Sequence, residues 1–158
     1  MKNIAIVFGG KSPEHQISVR SARNVSAAID RTQFNVIHIG IDQKGKWRLT
    51  DLATTEKYVS EAGVPLGLVI GNERPIIRLD TQEPLEIDLL YLVLHGPNGE
   101  DGTVQGLARL LNLPFIGPDV LGSAAVMDKD VTKRLLRQAG IAVAADRVVY
   151  RHEKEQLD

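Results

Sequence analysis

Asn3-Ile4-Ala5-Ile6-Val7-Phe8-Gly9-Gly10-Lys11-Ser12-Pro13-Glu14-His15 is the stretch whose reading decides the fold. From Asn3 to Phe8 it is almost continuously apolar. A strand wet on one face alternates apolar with polar residues; an unbroken run belongs to a strand covered on both faces. Gly9-Gly10 then forces a turn. From Ser18 to Asp30, apolar residues recur at Val19, Ala22, Val25, Ala28 and Ile29, the spacing of one helical face. Phe34 to Ile41 reads as a second strand. Strand, turn, helix and strand predict an α/β fold: a doubly wound, mostly parallel sheet with helices on both faces.

The later sequence extends the pattern. Asp42-Gln43-Lys44-Gly45 is a turn, and Lys46 to Leu49 folds back as a short strand. Asp51 is expected to cap a short helix through Tyr58, and Gly63 to Pro65 reads as loop. Pro75 to Leu79 suits an edge strand, where proline is tolerated. Ile87 to Leu94 is the strongest strand, broken only by Asp88, and His95 to Gly102 is a loop rich in glycine. Thr103 to Asn112 is helical, with Val104, Leu107, Leu110 and Leu111 on one side, and Pro114-Phe115-Ile116 is a short strand. Val120 to Met127 is small and apolar. Asp128 to Gln138 is a charged helix, with Asp128 and Asp130 early and Lys133, Arg134 and Arg137 late, which complements the helix dipole. Asp130 and Arg134 form an i,i+4 pair, and Gly140 suits the position after the helix end. Arg147 to Tyr150 has strand character, and a lone strand needs a partner sheet. None follows, so the chain is expected to be cut inside a second domain, with domains at 1–123 and 124–158.

Composition narrows the function classes. The 158 residues suit one domain, or one domain and part of another. The 43% apolar and 25% charged content argues against wholesale disorder. Lys and Arg number 19 against 20 Asp and Glu, so no basic excess favours nucleic acid or an anionic membrane. Without cysteine there is no disulfide, thiolate metal site or Cys nucleophile, which fits a reducing compartment. Met1 to Phe8 is too short for a signal peptide, and no apolar stretch reaches the ~18 residues of a membrane span. Cytoplasm is the expected location.

In parallel α/β sheets, ligands bind at the carboxyl ends of the strands. Residues 9–18 and 95–103 both follow strand ends and would share a cleft if their strands are neighbours. Three roles are open to Glu14: holding an ammonium, acting as a base, or capping the helix. The first loop matches neither the P-loop nor the dinucleotide-binding pattern. His95 is either a satisfied structural histidine or a donor to a carboxylate. His95, Glu100 and Asp101 are all metal-ligating types, yet no second His stands at i+4, and Asp101 also suits a helix cap. Lys129 sits in a first helical turn, where a cation is disfavoured. A phosphate would account for it; the commoner alternative is a solvated surface lysine.

Taken together, three segments resemble the D-alanine–D-alanine ligase family in its amino-terminal part. They are Ile6 through His15 with Ser18; Leu94-His95-Gly96 through Gly99-Glu100-Asp101-Gly102-Thr103 with Gln105-Gly106; and Ala124 through Met127-Asp128-Lys129 with Thr132-Lys133. The resemblance covers nearly the whole chain, and the segment between Ile41 and Ile87 is similar to the longer bacterial forms. It implies a Rossmann-like pre-ATP-grasp, substrate-binding domain over 1–123 and the start of an ATP-grasp domain over 124–158. The implied reaction joins two D-alanines for peptidoglycan synthesis, using ATP and magnesium, through a D-alanyl phosphate. By matching positions, Glu14 would hold the ammonium of the first D-alanine and act as the catalytic residue. Ile17 would pack near the methyl group, His95 would lie by the carboxylate, and Lys129 would reach ATP phosphates. The resemblance also implies a homodimer. Family members are much longer, and their magnesium ligands and most ATP contacts have no counterpart here, so no metal ligand is assigned and these residues alone are expected to be inactive. Two alternatives stay open: another ATP-dependent carboxylate–amine ligase, or a stand-alone α/β ligand-binding module.

Overall fold

Alternating side chains of strand β1, Lys2–Gly9, set up two core layers. Ala5 and Val7 face a cluster containing Ile39, Leu90, Val104 and Ala108. Ile6 and Phe8 face the opposite cluster, with Val19, Ala22 and Val93. All four residues from Ala5 to Phe8 are fully buried. An apolar run without alternation is the sequence consequence of a strand covered on both sides, and burying each large side chain contributes roughly 1.5–3 kcal/mol.

The computed structural model describes residues 1–156. After β1 come helix α1 (His15–Ala28), β2 (Phe34–Ile41), β3 (Trp47–Leu49), β4 (Val64–Leu68), β5 (Ile76–Arg78) and β6 (Leu89–Leu94). Helix α2 (Thr103–Leu110), β7 (Phe115–Ile116), α3 (Val120–Met127), α4 (Lys129–Gln138) and a 3-10 segment (Arg151–Gln156) follow. The sheet order is β5-β4-β3-β2-β1-β6-β7. β1 pairs in parallel with β2 on one side and β6 on the other, and β7 extends the parallel part. Beyond β2, strands β3 to β5 add an antiparallel meander. Helices α1 and α2 cover opposite faces through Val19 and Ala22 on one, and Val104 and Ala108 on the other. The doubly wound, mostly parallel α/β sheet is therefore present, with the topological switch point between β1 and β6.

Three local expectations are corrected. No helix forms from Asp51 to Tyr58, which is a series of turns. The hydroxyls of Thr54 and Thr55 donate to the Asp51 carbonyl oxygen, and the Asp51 side chain accepts from the Ala53 amide. These short side chains compete with the backbone for its own partners. The loop expected from Gly63 to Pro65 runs instead into β4, whose Leu66 is buried. Pro65 is tolerated because the β3–β4 ladder pairs only Arg48 with Pro65 and Leu49 with Val64, while the Pro65 carbonyl accepts from the Leu79 amide. Arg147 to Tyr150 pairs with no strand among the described residues. The charged helix is as expected: Arg134 bonds Asp130, and Gly140 has φ +74° with its amide on the Arg137 carbonyl.

Candidate functional site

Parallel pairing sets Gly9 beside Leu94. The loops that follow, Gly10 to Glu14 and His95 to Gly102, therefore leave neighbouring strand ends, as a shared cleft requires. Gly9 has φ +91°, and a Cβ there would run into the Ile41 carbonyl oxygen, so a side chain at this turn is excluded.

Helix α1 is pinned to the switch point by small polar side chains. Ser18, fully buried, accepts from the Gly9 amide at 2.8 Å and donates to the Val93 carbonyl oxygen. Its hydroxyl thus joins the ends of β1 and β6. His15, 1% exposed, has Nδ1 2.7 Å from the Gly10 carbonyl oxygen. The Val59 amide donates to His15 Nε2 at 3.1 Å. An imidazole accepting at Nε2 donates at Nδ1, so the ring is the neutral Nδ1–H tautomer. Tyr58 lies beside this ring, and its hydroxyl accepts from Gln16 Nε2.

Glu14 occupies the cap position of α1, yet its side chain makes no capping bond. Ser12 Oγ accepts from the Glu14 amide at 3.0 Å. The capping role open to Glu14 in the sequence is thus set aside. Among the described residues, no hydrogen bond or ion pair engages its exposed carboxylate. A Cβ placed on Gly96 would stand 2.7 Å from Glu14 Oε2 and 2.6 Å from Ser12 Oγ, so the second loop passes directly against the first.

The acids of the second loop fold the loop itself. Glu100 Oε2 accepts from the Gly96 amide at 2.6 Å. Asp101 accepts from the amides of Asn98 and Thr103 at 2.8 and 3.0 Å, the helix-capping role foreseen for it. Burial works to raise the Asp101 pKa, but these hydrogen bonds outweigh it and hold the carboxyl below its ordinary value. Among the described residues, no group of three or more His, Cys, Asp or Glu is placed to hold a metal ion.

His95 is half-buried, with Nε2 3.2 Å from Ser21 Oγ on α1. Ile17, 41% exposed, lies between Glu14 and Ser21 on the same helix. The structure thus gathers Glu14, Ile17 and His95 where α1 meets the β6 end. Lys129 is not part of this cluster. It begins α4, and its Nζ donates to the Val126 carbonyl oxygen at 3.3 Å. That oxygen belongs to the last turn of α3, the negative end of a helix, so the cation is accommodated locally. A cleft of about 240 Å³ lies beside the cluster, lined among others by Gly10, Lys11, Trp47, His95, Asn98 and Leu107. Glu14 and Ile17 stand outside its lining.

The roles of His15, Ser18 and Ser21 were not foreseen. Their signal was faint: His15 and Ser18 share the helix side that carries Val19 and Ala22, and Ser21 falls on the neighbouring stripe with Glu14 and Ile17.

Two glycine-containing loops thus leave neighbouring strand ends at the switch point, the place where open α/β sheets bind ligands, with Glu14 on the first loop and His95 on the second. The chain belongs to the family described as D-ala D-ala ligase N-terminus, which matches residues 3–118. It is 43% identical over 154 residues to D-alanine--D-alanine ligase A of Salmonella typhimurium, covering 89% of this chain and 42% of that one. It is also 43% identical over 169 residues to the D-alanine--D-alanine ligase of Shouchella clausii, covering 99% of this chain and 45% of that one. Among solved structures, the D-alanine-D-alanine ligase from Coxiella burnetii superposes with a TM-score of 0.81 at 33% identity, over 99% of this chain and 49% of that one. The VanG D-Ala:D-Ser ligase from Enterococcus faecalis does so with 0.79 at 33% identity, over 98% and 47%. The chain therefore spans less than half the length of these relatives.

Proposed function

We propose that these residues form the first D-alanine site of an ATP-dependent D-alanine–D-alanine ligase acting in peptidoglycan synthesis. The observation that carries this reading is Glu14: a carboxylate at a helix start that, among the described residues, is spent on no cap and no ion pair, set against the adjoining loop at Gly96. An ionised carboxylate only accepts hydrogen bonds, and an amino-acid ammonium only donates them. In this reading Glu14 takes the ammonium, Ile17 borders the methyl group, and His95 supplies a hydrogen bond to the carboxylate that becomes phosphorylated. The amine of the second D-alanine then attacks the acyl phosphate, forming the peptide bond and releasing phosphate. Lys129 is proposed for the ATP phosphates, by exchanging its Val126 contact for an anion. Among the described residues, no group of three or more acids or histidines is placed to hold magnesium.

The division into 1–123 and 124–158 is part of the same proposal and falls within α3. So are a homodimer and a cytoplasmic location. No helix among the described residues is long and apolar enough to cross a membrane. Without magnesium ligands and the rest of the phosphate clamp, these 158 residues alone are proposed to lack ligase activity, because phosphoryl transfer depends on such groups. The likeness to a D-Ala:D-Ser ligase favours a second reading, in which the acceptor is another amino or hydroxy acid. Phosphate release across a panel of acceptors decides, using a ligase of full family length that begins with these residues. D-alanine is expected to lead; a stronger response to another acceptor selects the second reading. Dipeptide formation by the 158 residues alone would contradict the proposed inactivity.

A further inference from the structure

Glu14, Ile17 and Ser21 follow one another at intervals of three and four along α1, so they form one stripe on the helix. The end of β6 runs along that stripe: Gly96 lies against Glu14, and His95 lies against Ser21. A neutral imidazole has one N–H donor and one bare acceptor nitrogen, and the partner of one decides the character of the other. Ser21 Oγ stands 3.2 Å from His95 Nε2, and no hydrogen bond among the described residues engages His95 Nδ1. The hydroxyl is the side-chain group placed to partner Nε2, either by donating to a bare Nε2 or by accepting from an Nε2–H.

We infer that Ser21 is a positioning residue whose O–H donates to His95 Nε2, holding the ring as the Nδ1–H tautomer so that Nδ1 presents a donor to a bound carboxylate. The inference rests on the proposed reading of His95 as a carboxylate neighbour. It goes further in naming the nitrogen that acts and the side chain that selects it. A threonine keeps the hydroxyl; an alanine removes it and frees the ring to adopt the other tautomer.

The test is long-range 1H–15N NMR of the imidazoles at alkaline pH in this chain, with Ser21→Ala and Ser21→Thr. The expected wild-type pattern for His95 is a protonated Nδ1 and a bare Nε2. Ser21→Ala is expected to shift it toward the Nε2–H form, and Ser21→Thr to restore it. The His15 signals, which report the fold, should not move. A wild-type His95 protonated at Nε2, or an unchanged pattern in Ser21→Ala, overturns the inference. In a ligase of full family length with these residues, Ser21→Ala should raise KM for the first D-alanine about tenfold while leaving kcat nearly unchanged. If the tautomer responds as expected but D-alanine is not a substrate, Ser21 keeps its role and the ligase reading falls.

Discussion

His15 Nδ1 stands 2.7 Å from the carbonyl oxygen of Gly10, so one buried ring holds the glycine turn from which the candidate site departs. Its other nitrogen accepts from Val59, 44 positions away in sequence. His15→Ala leaves both backbone groups without their partner, and each such loss costs about 1–3 kcal/mol. A loss of roughly 2–6 kcal/mol is expected in urea denaturation. His15→Asn keeps an amide near the Gly10 carbonyl, and His15→Gln puts an acceptor near the Val59 amide, so each should recover part of the loss. An alanine variant as stable as wild type would show that the ring clamps nothing.

The two glycines of the site should respond differently to alanine. At Gly9 a methyl group meets the backbone carbonyl of Ile41, which cannot retreat without opening the β1–β2 pairing. At Gly96, φ is +70° and the methyl meets the ends of the Ser12 and Glu14 side chains, which can swing aside. Gly96→Ala should cost about 1–2 kcal/mol, the strain of the left-handed conformation. Gly9→Ala should cost more, and thermal melts of the two variants measure the difference. Equal losses would mean that the loop contact is not a matter of which atoms give way.

Asp42 and Arg48 form a buried pair at 3.0 Å, 2% and 7% exposed, at the β2–β3 turn. Asp42 also accepts from the amides of Lys44 and Lys46, and Arg48 donates to the Gly63 carbonyl. Removing one partner of a buried pair typically costs about 3–5 kcal/mol, because the remaining charge stays behind. Asp42→Ala should fall in that range, and the double variant Asp42→Ala/Arg48→Met should cost less than the two single losses added together. Additive losses in a double-mutant cycle would show no coupling across the pair.

His38 predicts the neutral-to-acid limb of stability. Burial disfavours its charged form, and Arg31 adds to this, while Asp51 pulls weakly the other way; the net pKa is lowered. Its Nε2 lies 2.8 Å from Ser26 Oγ, which also accepts from Arg31. The unfolded state therefore takes up a proton first as pH falls. Stability is full above the unfolded value of about 6.5 and declines as pH drops below it. Melting temperatures of wild type should fall between about pH 7 and 5, and His38→Gln should flatten that limb. A limb of equal slope in the variant would assign it to other groups.

The sequence made the sheet legible where burial writes directly into composition. Ile4 to Phe8 are apolar because two layers cover them, and Leu89 to Leu94 follow the same logic. It hid β4, because Pro65 and Gly67 carry loop character while the pairing that holds them comes from β3 and β5. It misled at Asp51, where threonine hydroxyls took the carbonyl a helix would have used. Glu14 and His95 could be picked out by residue type and by position after strands. His15 and Ser21 could not be given roles, since their partners are Val59 and His95, the latter 74 positions from Ser21. Only the folded register brings them together.

In the proposed function, Glu14 receives the ammonium of the first D-alanine. It is tested most directly by ATP- and D-alanine-dependent phosphate release in a ligase of full family length carrying these residues, wild type against Glu14→Ala. Losing a charge-assisted hydrogen bond of about 1.5–3 kcal/mol predicts a fall in kcat/KM of at least about tenfold, with the protein still folded. Turnover close to that of wild type would remove Glu14 from the site and contradict the account.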